Sequence, residues 1–69
     1  MKLTLQQVEQ VKELQLKLIL DQPKLRKGQA FFIALHKLFP DVASDIAGSI
    51  NDPFYVDSRI YSCINEITE

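Results

Sequence analysis

The sequence predicts an all-α fold, a small bundle of about four helices around a central apolar helix, in one domain over residues 1–69. Apolar residues recur at helical spacing in four stretches, and no stretch alternates as a strand does. A length of 69 residues suits one domain, and 46% hydrophobic with 25% charged residues is typical of a folded chain. The prolines mark breaks between the predicted helices: Pro23, Pro40 and Pro53.

The first helix is predicted over residues 5–20. Thr4 and Gln7 have the spacing of a capping box, which starts a helix near Leu5. The apolar residues form a face and a wider flank: Leu5, Val8, Leu16 and Ile19 on the face, and Val11, Leu14 and Leu18 on the flank. This helix therefore contacts either two helices, or one helix and a partner molecule. In the second case Val11, Leu14 and Leu18 are the candidate self-association surface.

The second helix is predicted over residues 25–39. Its middle, residues 30–35, is apolar on every side, which is typical of a buried central helix. Gly28 lies in the first turns, where glycine costs roughly 1 kcal/mol relative to alanine. Close contact with another backbone or an aromatic ring would explain this residue.

Two shorter helices complete the predicted bundle. The third spans residues 41–50, and five of its side chains are predicted to face inward: Val42, Ala43, Ile46, Ala47 and Ile50. The fourth spans residues 58–67 after a cap at Asp57 or Ser58, and its apolar stripe is Ile60, Cys63, Ile64 and Ile67.

Three cations, Lys24, Arg26 and Lys27, lie at the start of the second helix, where they oppose the helix dipole. In one interpretation Arg26 pairs with Asp52 or Asp57 of the loop over residues 51–57, while Gln29 bonds the loop backbone. In the other, the three cations bind an anion or an acidic partner. Charge segregation favours internal pairing, because residues 1–39 carry +4 and residues 40–69 carry −5.

Two aromatic residues in the same loop also allow two interpretations. Phe54 either plugs the core or stays exposed as a partner anchor, and packing is favoured for it. Tyr55 is equally suited to either role, since tyrosine is common at binding hot spots.

The sequence predicts no catalytic, metal or cofactor site. His36 is the single histidine and Cys63 the single cysteine, and the latter is expected to be a small buried hydrophobe. Gly28 and Gly48 stand alone, so no phosphate-binding loop is present. The protein is therefore predicted not to be an enzyme. Without a signal-peptide pattern or a membrane span, a cytoplasmic location is expected.

The motif Arg26-x-Gly28-Gln29, followed by Pro40 and then by Asp52-Pro53-Phe54-Tyr55-x-Asp57-x-Arg59-Ile60, resembles a known pattern. It is similar to a family of small, largely uncharacterised all-helical proteins of bacteria and their phages that carry R-x-G-Q and D-[PC]-F-Y-x-D-x-[RK]-I. The likeness covers residues 26–67, and relatives often have Asn where Ile33 stands. The resemblance implies a compact cytosolic or prophage-associated protein with no known chemistry.

Three functions follow as hypotheses. The first is a non-catalytic protein-interaction module, for example a phage accessory protein or an inhibitor of a host protein. The candidate partner-binding or loop-clasp residues for it are Arg26, Gln29, Asp52, Phe54, Tyr55, Asp57 and Arg59. The second is a homodimeric structural protein. The third, a helix-turn-helix DNA binder, is disfavoured because the candidate recognition helix carries Asp41 and Asp45 where it would meet phosphate.

Overall fold

The computed structural model describes residues 2–69 and confirms a small all-α bundle. The elements are α1 (Leu5–Asp21), α2 (Lys27–Leu38), α3 (Pro40–Ile46), a 3₁₀ turn (Asp57–Arg59) and α4 (Ile60–Ile67). The α2 helix is the central element and packs against α1, α3 and the 3₁₀ turn. Its residues Ala30, Phe31, Ala34 and Leu35 are fully buried. Because Phe32 and Ile33 are half-buried, the helix is not covered on every side.

The α1 helix begins where the sequence predicts it. Thr4 Oγ1 accepts from the Gln7 backbone N–H at 3.2 Å, and Gln7 Oε1 accepts from the Thr4 N–H at 2.9 Å. The backbone N–H of each residue therefore finds its acceptor in the side chain of the other. The helix ends at Asp21, two residues before Pro23, because a residue before proline is disfavoured in the helical region.

The inward face of α1 differs from the predicted one. Val8 and Val11 are buried, while Leu14 and Leu18 are half-buried and pack against the core. Leu5 and Leu16, predicted to face inward, are instead 74% and 59% exposed. The predicted flank is thus the true inner face, since α1 has one main neighbour and turns that side toward α2.

This orientation corrects the predicted self-association surface. Val11 is fully buried, so it contacts the chain's own core and is not part of any surface. Leu14 and Leu18 are also partly covered by the core. The exposed apolar residues of α1 are Leu5, Leu16 and Leu20, which the 3.6-residue repeat places along one side of the helix.

The α3 helix is shorter than predicted and ends at Ile46. Gly48 has a φ of +76°, a left-handed conformation that stops the helix and suits glycine. Val42, Ala43 and Ile46 face inward as predicted. The prediction was wrong for Ala47 and Ile50, which lie beyond the helix on the surface; Ile50 is 81% exposed.

The two ends of the described chain are joined by a short parallel β-bridge between Leu3 and Thr68. The Leu3 N–H donates to the Ile67 carbonyl at 2.6 Å, and the Glu69 N–H donates to the Leu3 carbonyl at 2.9 Å. Within residues 2–69, no helix has the length and apolar character needed to cross a membrane.

Candidate functional site

Gly28 lies where the backbone of another segment approaches α2 closely, as the sequence suggests. A Cβ atom at this position would lie 2.1 Å from the Pro53 carbonyl oxygen and 3.1 Å from the Asp57 Cα. The first distance is far inside van der Waals contact, and the obstructing atom belongs to the backbone. Only glycine therefore lets the loop rest on the first turn of α2.

Asp57 provides a hydrogen-bond acceptor for the first turn of α2. Its Oδ1 accepts from the Gly28 N–H at 3.1 Å. The residue at the N-cap position is Arg26, whose side chain makes no capping bond, so a carboxylate distant in sequence supplies the missing acceptor. The negative charge also lies at the positive end of the helix dipole.

Arg26 completes this arrangement. Its Nη2 donates to the Phe54 carbonyl at 2.5 Å, and its Nε lies 3.6 Å from Asp57 Oδ1. The predicted pairing of Arg26 with Asp57 is therefore present, although the fork is divided between a carbonyl and a carboxylate. We name this unit the clasp: Arg26, Gly28, Asp57 and the carbonyls of Pro53 and Phe54.

Asp57 corrects a second prediction at the same time. It was expected, with Ser58 as the alternative, to cap α4, yet neither side chain makes a capping bond there. The 3₁₀ turn places Asp57 one turn before α4, with its carboxylate directed toward α2. The Asp57 carboxylate therefore accepts a hydrogen bond from α2 instead of capping α4.

Asp52, the alternative predicted partner of Arg26, does not pair with it. Its Oδ1 accepts from the Phe54 N–H at 2.9 Å, and its Oδ2 accepts from the Gly48 N–H at 2.7 Å. These partners are only two and four residues away, so the bonds order few additional residues. Asp52 therefore stabilises its own loop, and Arg26 is left to Asp57.

The remaining predicted site residues have smaller roles in the structure. Gln29 and Arg59 are half-buried, and within residues 2–69 neither side chain makes a hydrogen bond or ion pair. The predicted bond from Gln29 to the loop backbone is therefore not formed. Lys24 is exposed and likewise has no ion pair with either loop aspartate.

Aromatic side chains form a row on the surface beside the clasp. The Phe54 ring packs edge-on against Phe32 at 5.8 Å and against Tyr55 at 4.8 Å, and Phe32 stacks with His36 at 6.5 Å. Phe54 is only half-buried, and Pro53 is the fully buried residue of the loop. Pro53, and not the predicted Phe54, is therefore the residue of the loop that fills the core, while Tyr55 is 78% exposed.

Cys63 is buried on the inner side of α4, as predicted. Burial, together with the nearby Asp52 charge, raises the pKa of its thiol to about 12. The thiol therefore stays protonated near neutral pH, and the thiolate is the form that attacks and binds metals. His36 is exposed on α2. In residues 2–69 no group of three His, Cys, Asp or Glu side chains could hold a metal ion.

A groove between α1 and α4 carries apolar walls and has a volume of about 600 Å³. Its apolar lining is Leu16, Phe31, Ile60, Tyr61 and Ile64. Tyr61 is 79% exposed, and Leu16 is the exposed α1 residue noted above. We name it the α1–α4 groove. Large exposed apolar groups are the usual mark of a contact surface.

Polar residues also line this groove. They are Lys12, Gln15, Lys27, Asp57 and Ser58. The Gln15 side-chain N–H donates to the Lys27 carbonyl at 2.9 Å and so joins α1 to the start of α2. The bridge between Leu3 and Thr68 joins the residues that lie just before α1 and just after α4.

The sequence interpretation missed the groove. Tyr61 lies next to the apolar stripe of α4 but outside it, and a large aromatic residue in that position was the available signal. Leu16 was assigned to the core because the stripe of α1 was too wide to locate its centre. No family model, curated protein or solved structure matches this chain.

Proposed function

We propose that this chain is a non-catalytic protein-interaction module that binds a protein partner at the α1–α4 groove. The single observation that carries the proposal is the pair of exposed side chains, Leu16 and Tyr61, on the walls of an apolar groove. Such grooves accept the apolar side of a partner segment, and tyrosine is common at binding hot spots. The setting we propose is the cytoplasm, where a free thiol such as Cys63 remains reduced.

The clasp supports this choice of surface indirectly. Arg26, Asp57 and the two loop carbonyls already bond one another, so their polar groups are largely committed to the fold. Binding through them would first break these contacts. Within residues 2–69, the exposed groove side chains of Leu16 and Tyr61 make no such bonds, and burial of their apolar surface against a partner would be favourable. Within the proposal, a phage accessory protein or an inhibitor of a host protein remains the expected biological role.

A matched pair of tyrosines tests the proposal. Tyr61 and Tyr55 are equally exposed, at 79% and 78%, but only Tyr61 lines the groove. A partner captured from bacterial lysate would be purified and its saturable binding measured against Tyr61→Ser, Leu16→Ser and Tyr55→Ser. We expect the two groove variants to weaken binding about tenfold or more, and Tyr55→Ser to leave it nearly unchanged.

The opposite result would place the partner-binding site at the aromatic row. If Tyr55→Ser alone weakens binding, the partner contacts Tyr55, Phe54 and their neighbours. If no saturable partner is obtained with the wild-type chain, the interaction module itself is rejected. Circular dichroism of each variant verifies that the fold persists.

Self-association is the second candidate, because Leu5, Leu16 and Leu20 lie exposed along one side of α1. A two-fold contact along this side would bury all three from both copies. Sedimentation at micromolar concentration separates the candidates: a mass of 7.9 kDa excludes the dimer, and twice that mass supports it. Leu20→Ser, outside the groove lining, should return such a dimer to monomer.

A further inference from the structure

We infer that the segment bound by the α1–α4 groove is an amphipathic helix whose flanks carry acidic residues, supplied by a different protein; this inference rests on the proposed function. The groove is lined by residues of α1 and α4 and by the buried Phe31 of α2. A helix laid along the groove would become the next member of the bundle, presenting side chains at helical spacing to three neighbours.

The charges around the groove indicate the sign of the charge that a partner should carry. Two ammonium groups, Lys12 and Lys27, and one carboxylate, Asp57, line it. That carboxylate already accepts from the Gly28 N–H and lies 3.6 Å from the Arg26 guanidinium. Its charge is therefore largely compensated within the clasp, and the two lysines dominate the potential that a partner meets.

The lysines themselves are accessible to a partner. Lys12 is exposed, and its one ion pair within residues 2–69 is with Glu9, one turn earlier on α1, at 3.5 Å. An exposed pair of this kind contributes only about 0.3–0.5 kcal/mol by general experience, so Lys12 exchanges partners easily. Lys27 is exposed, has no ion pair in the described chain and lies in the first turn of α2, where the helix dipole adds to its positive potential. A partner with acidic flanks would compensate both.

Three synthetic peptides of about four helical turns separate this inference from the proposed function. All carry leucine at positions i, i+3, i+4 and i+7, and their flanks are glutamate, glutamine or lysine. Each would be titrated into the isotopically labelled full chain by NMR, following the amides of Leu16, Ile60 and Tyr61. We expect the glutamate peptide to bind about tenfold more tightly than the lysine peptide, with glutamine between them.

Salt and two variants complete the test. Raising the ionic strength should shrink the advantage of the glutamate peptide, because exposed charges are screened. The double variant Lys12→Gln/Lys27→Gln should reduce that advantage to about twofold or less while leaving the glutamine peptide's affinity unchanged. Leu16→Ser should weaken all three peptides. Neither lysine is buried, so these variants should fold normally.

The outcomes distinguish the two claims. If all three peptides shift the groove amides with equal affinity, the groove binds helices but the acidic preference is overturned. If none shifts them, both this inference and the groove as a helix-binding site are overturned. If dilution of the chain alone shifts the same amides, the occupant is a second copy, and the inference of an acidic foreign helix is likewise overturned.

Discussion

The clasp and the α1–α4 groove share Asp57, but they use their other residues in opposite ways. In the clasp, polar groups from distant parts of the chain bond one another, and one of them, Asp57, also borders the groove. In the groove, exposed apolar groups of Leu16 and Tyr61 have no such partners in the fold. The contrast indicates that the most distinctive sequence motif maintains structure, whereas the proposed binding surface consists of residues without a motif.

Gly28→Ala is the test of this contrast with the largest expected effect. The added methyl group would meet the Pro53 carbonyl oxygen at 2.1 Å, so the loop would have to move away from α2. We expect the free energy of unfolding to fall by about 3 kcal/mol, more than the ~1 kcal/mol that alanine adds through helix propensity. Urea denaturation measures this change.

Gly48→Ala is the matched control for Gly28→Ala. No atom lies within 4 Å of a Cβ at Gly48, and the cost there is only its φ of +76°. We expect a loss of about 1 kcal/mol. Equal losses in both variants would show that the close approach at Gly28 does not stabilise the fold.

Asp57→Ala is expected to cost about 2 kcal/mol, because it leaves the buried Gly28 N–H without an acceptor. The ion pair with Arg26 contributes little of this, since the two side chains are 45% and 49% exposed. Asp57→Asn keeps an oxygen at the same place and should recover most of the stability. An asparagine variant as unstable as the alanine variant would assign the effect to charge instead of capping.

The pH dependence of stability caused by Cys63 tests how well the inner side of α4 is packed. Other residues of the same helix line the groove. The thiol's pKa is 9.0 in the unfolded chain and about 12 in the folded one. Below pH 9 both states keep the proton, so the thiol's stabilising contribution is complete there. Above it the unfolded state loses the proton first, and the free energy of unfolding should fall by about 1.4 kcal/mol per pH unit.

Cys63→Ala provides the reference curve for this alkaline loss. The variant retains every other titrating group, so the difference between the two curves isolates the thiol. Urea denaturation from about pH 8 to about pH 11 spans the relevant range. Parallel curves would mean that the thiol is accessible to water, and that α4 separates from the core more easily than its burial indicates.

Substitutions in the groove should cause the smallest change in the free energy of unfolding. Tyr61→Ser and Leu16→Ser remove exposed side chains, so each should change the free energy of unfolding by no more than about 0.5 kcal/mol. Thermal denaturation followed by circular dichroism measures both. A loss as large as that of Asp57→Ala would remove the distinction between the two regions, because the groove walls would then be structural as well.

Much of this fold could be predicted from local signals. The capping box at Thr4, the break at Pro40 and the role of Gly28 each depend on a few neighbouring residues or on one steric rule. The pairing of Arg26 with Asp57 followed from the need to compensate a cation at a helix start.

The errors share a different cause. Asp52 and Asp57 were equivalent candidates in the sequence, and the choice depended on the loop's three-dimensional path, which gave Asp52 nearer backbone donors. Ile50 was assigned to the core because its spacing continued a helix that Gly48 ends. The groove depends on how far apart α1 and α4 lie, and helical periodicity does not contain this distance.

The clasp also has a consequence for the order of events in folding. Gly28 and Asp57 are 29 residues apart, so the intervening chain must be closed into a loop before their bond forms. The contact between α1 and α2 joins neighbouring segments and has a smaller closure entropy. We expect the α1–α2 hairpin to form early in the transition state, with the clasp closing after it. Weakening the clasp should then accelerate unfolding while leaving the folding rate almost unchanged.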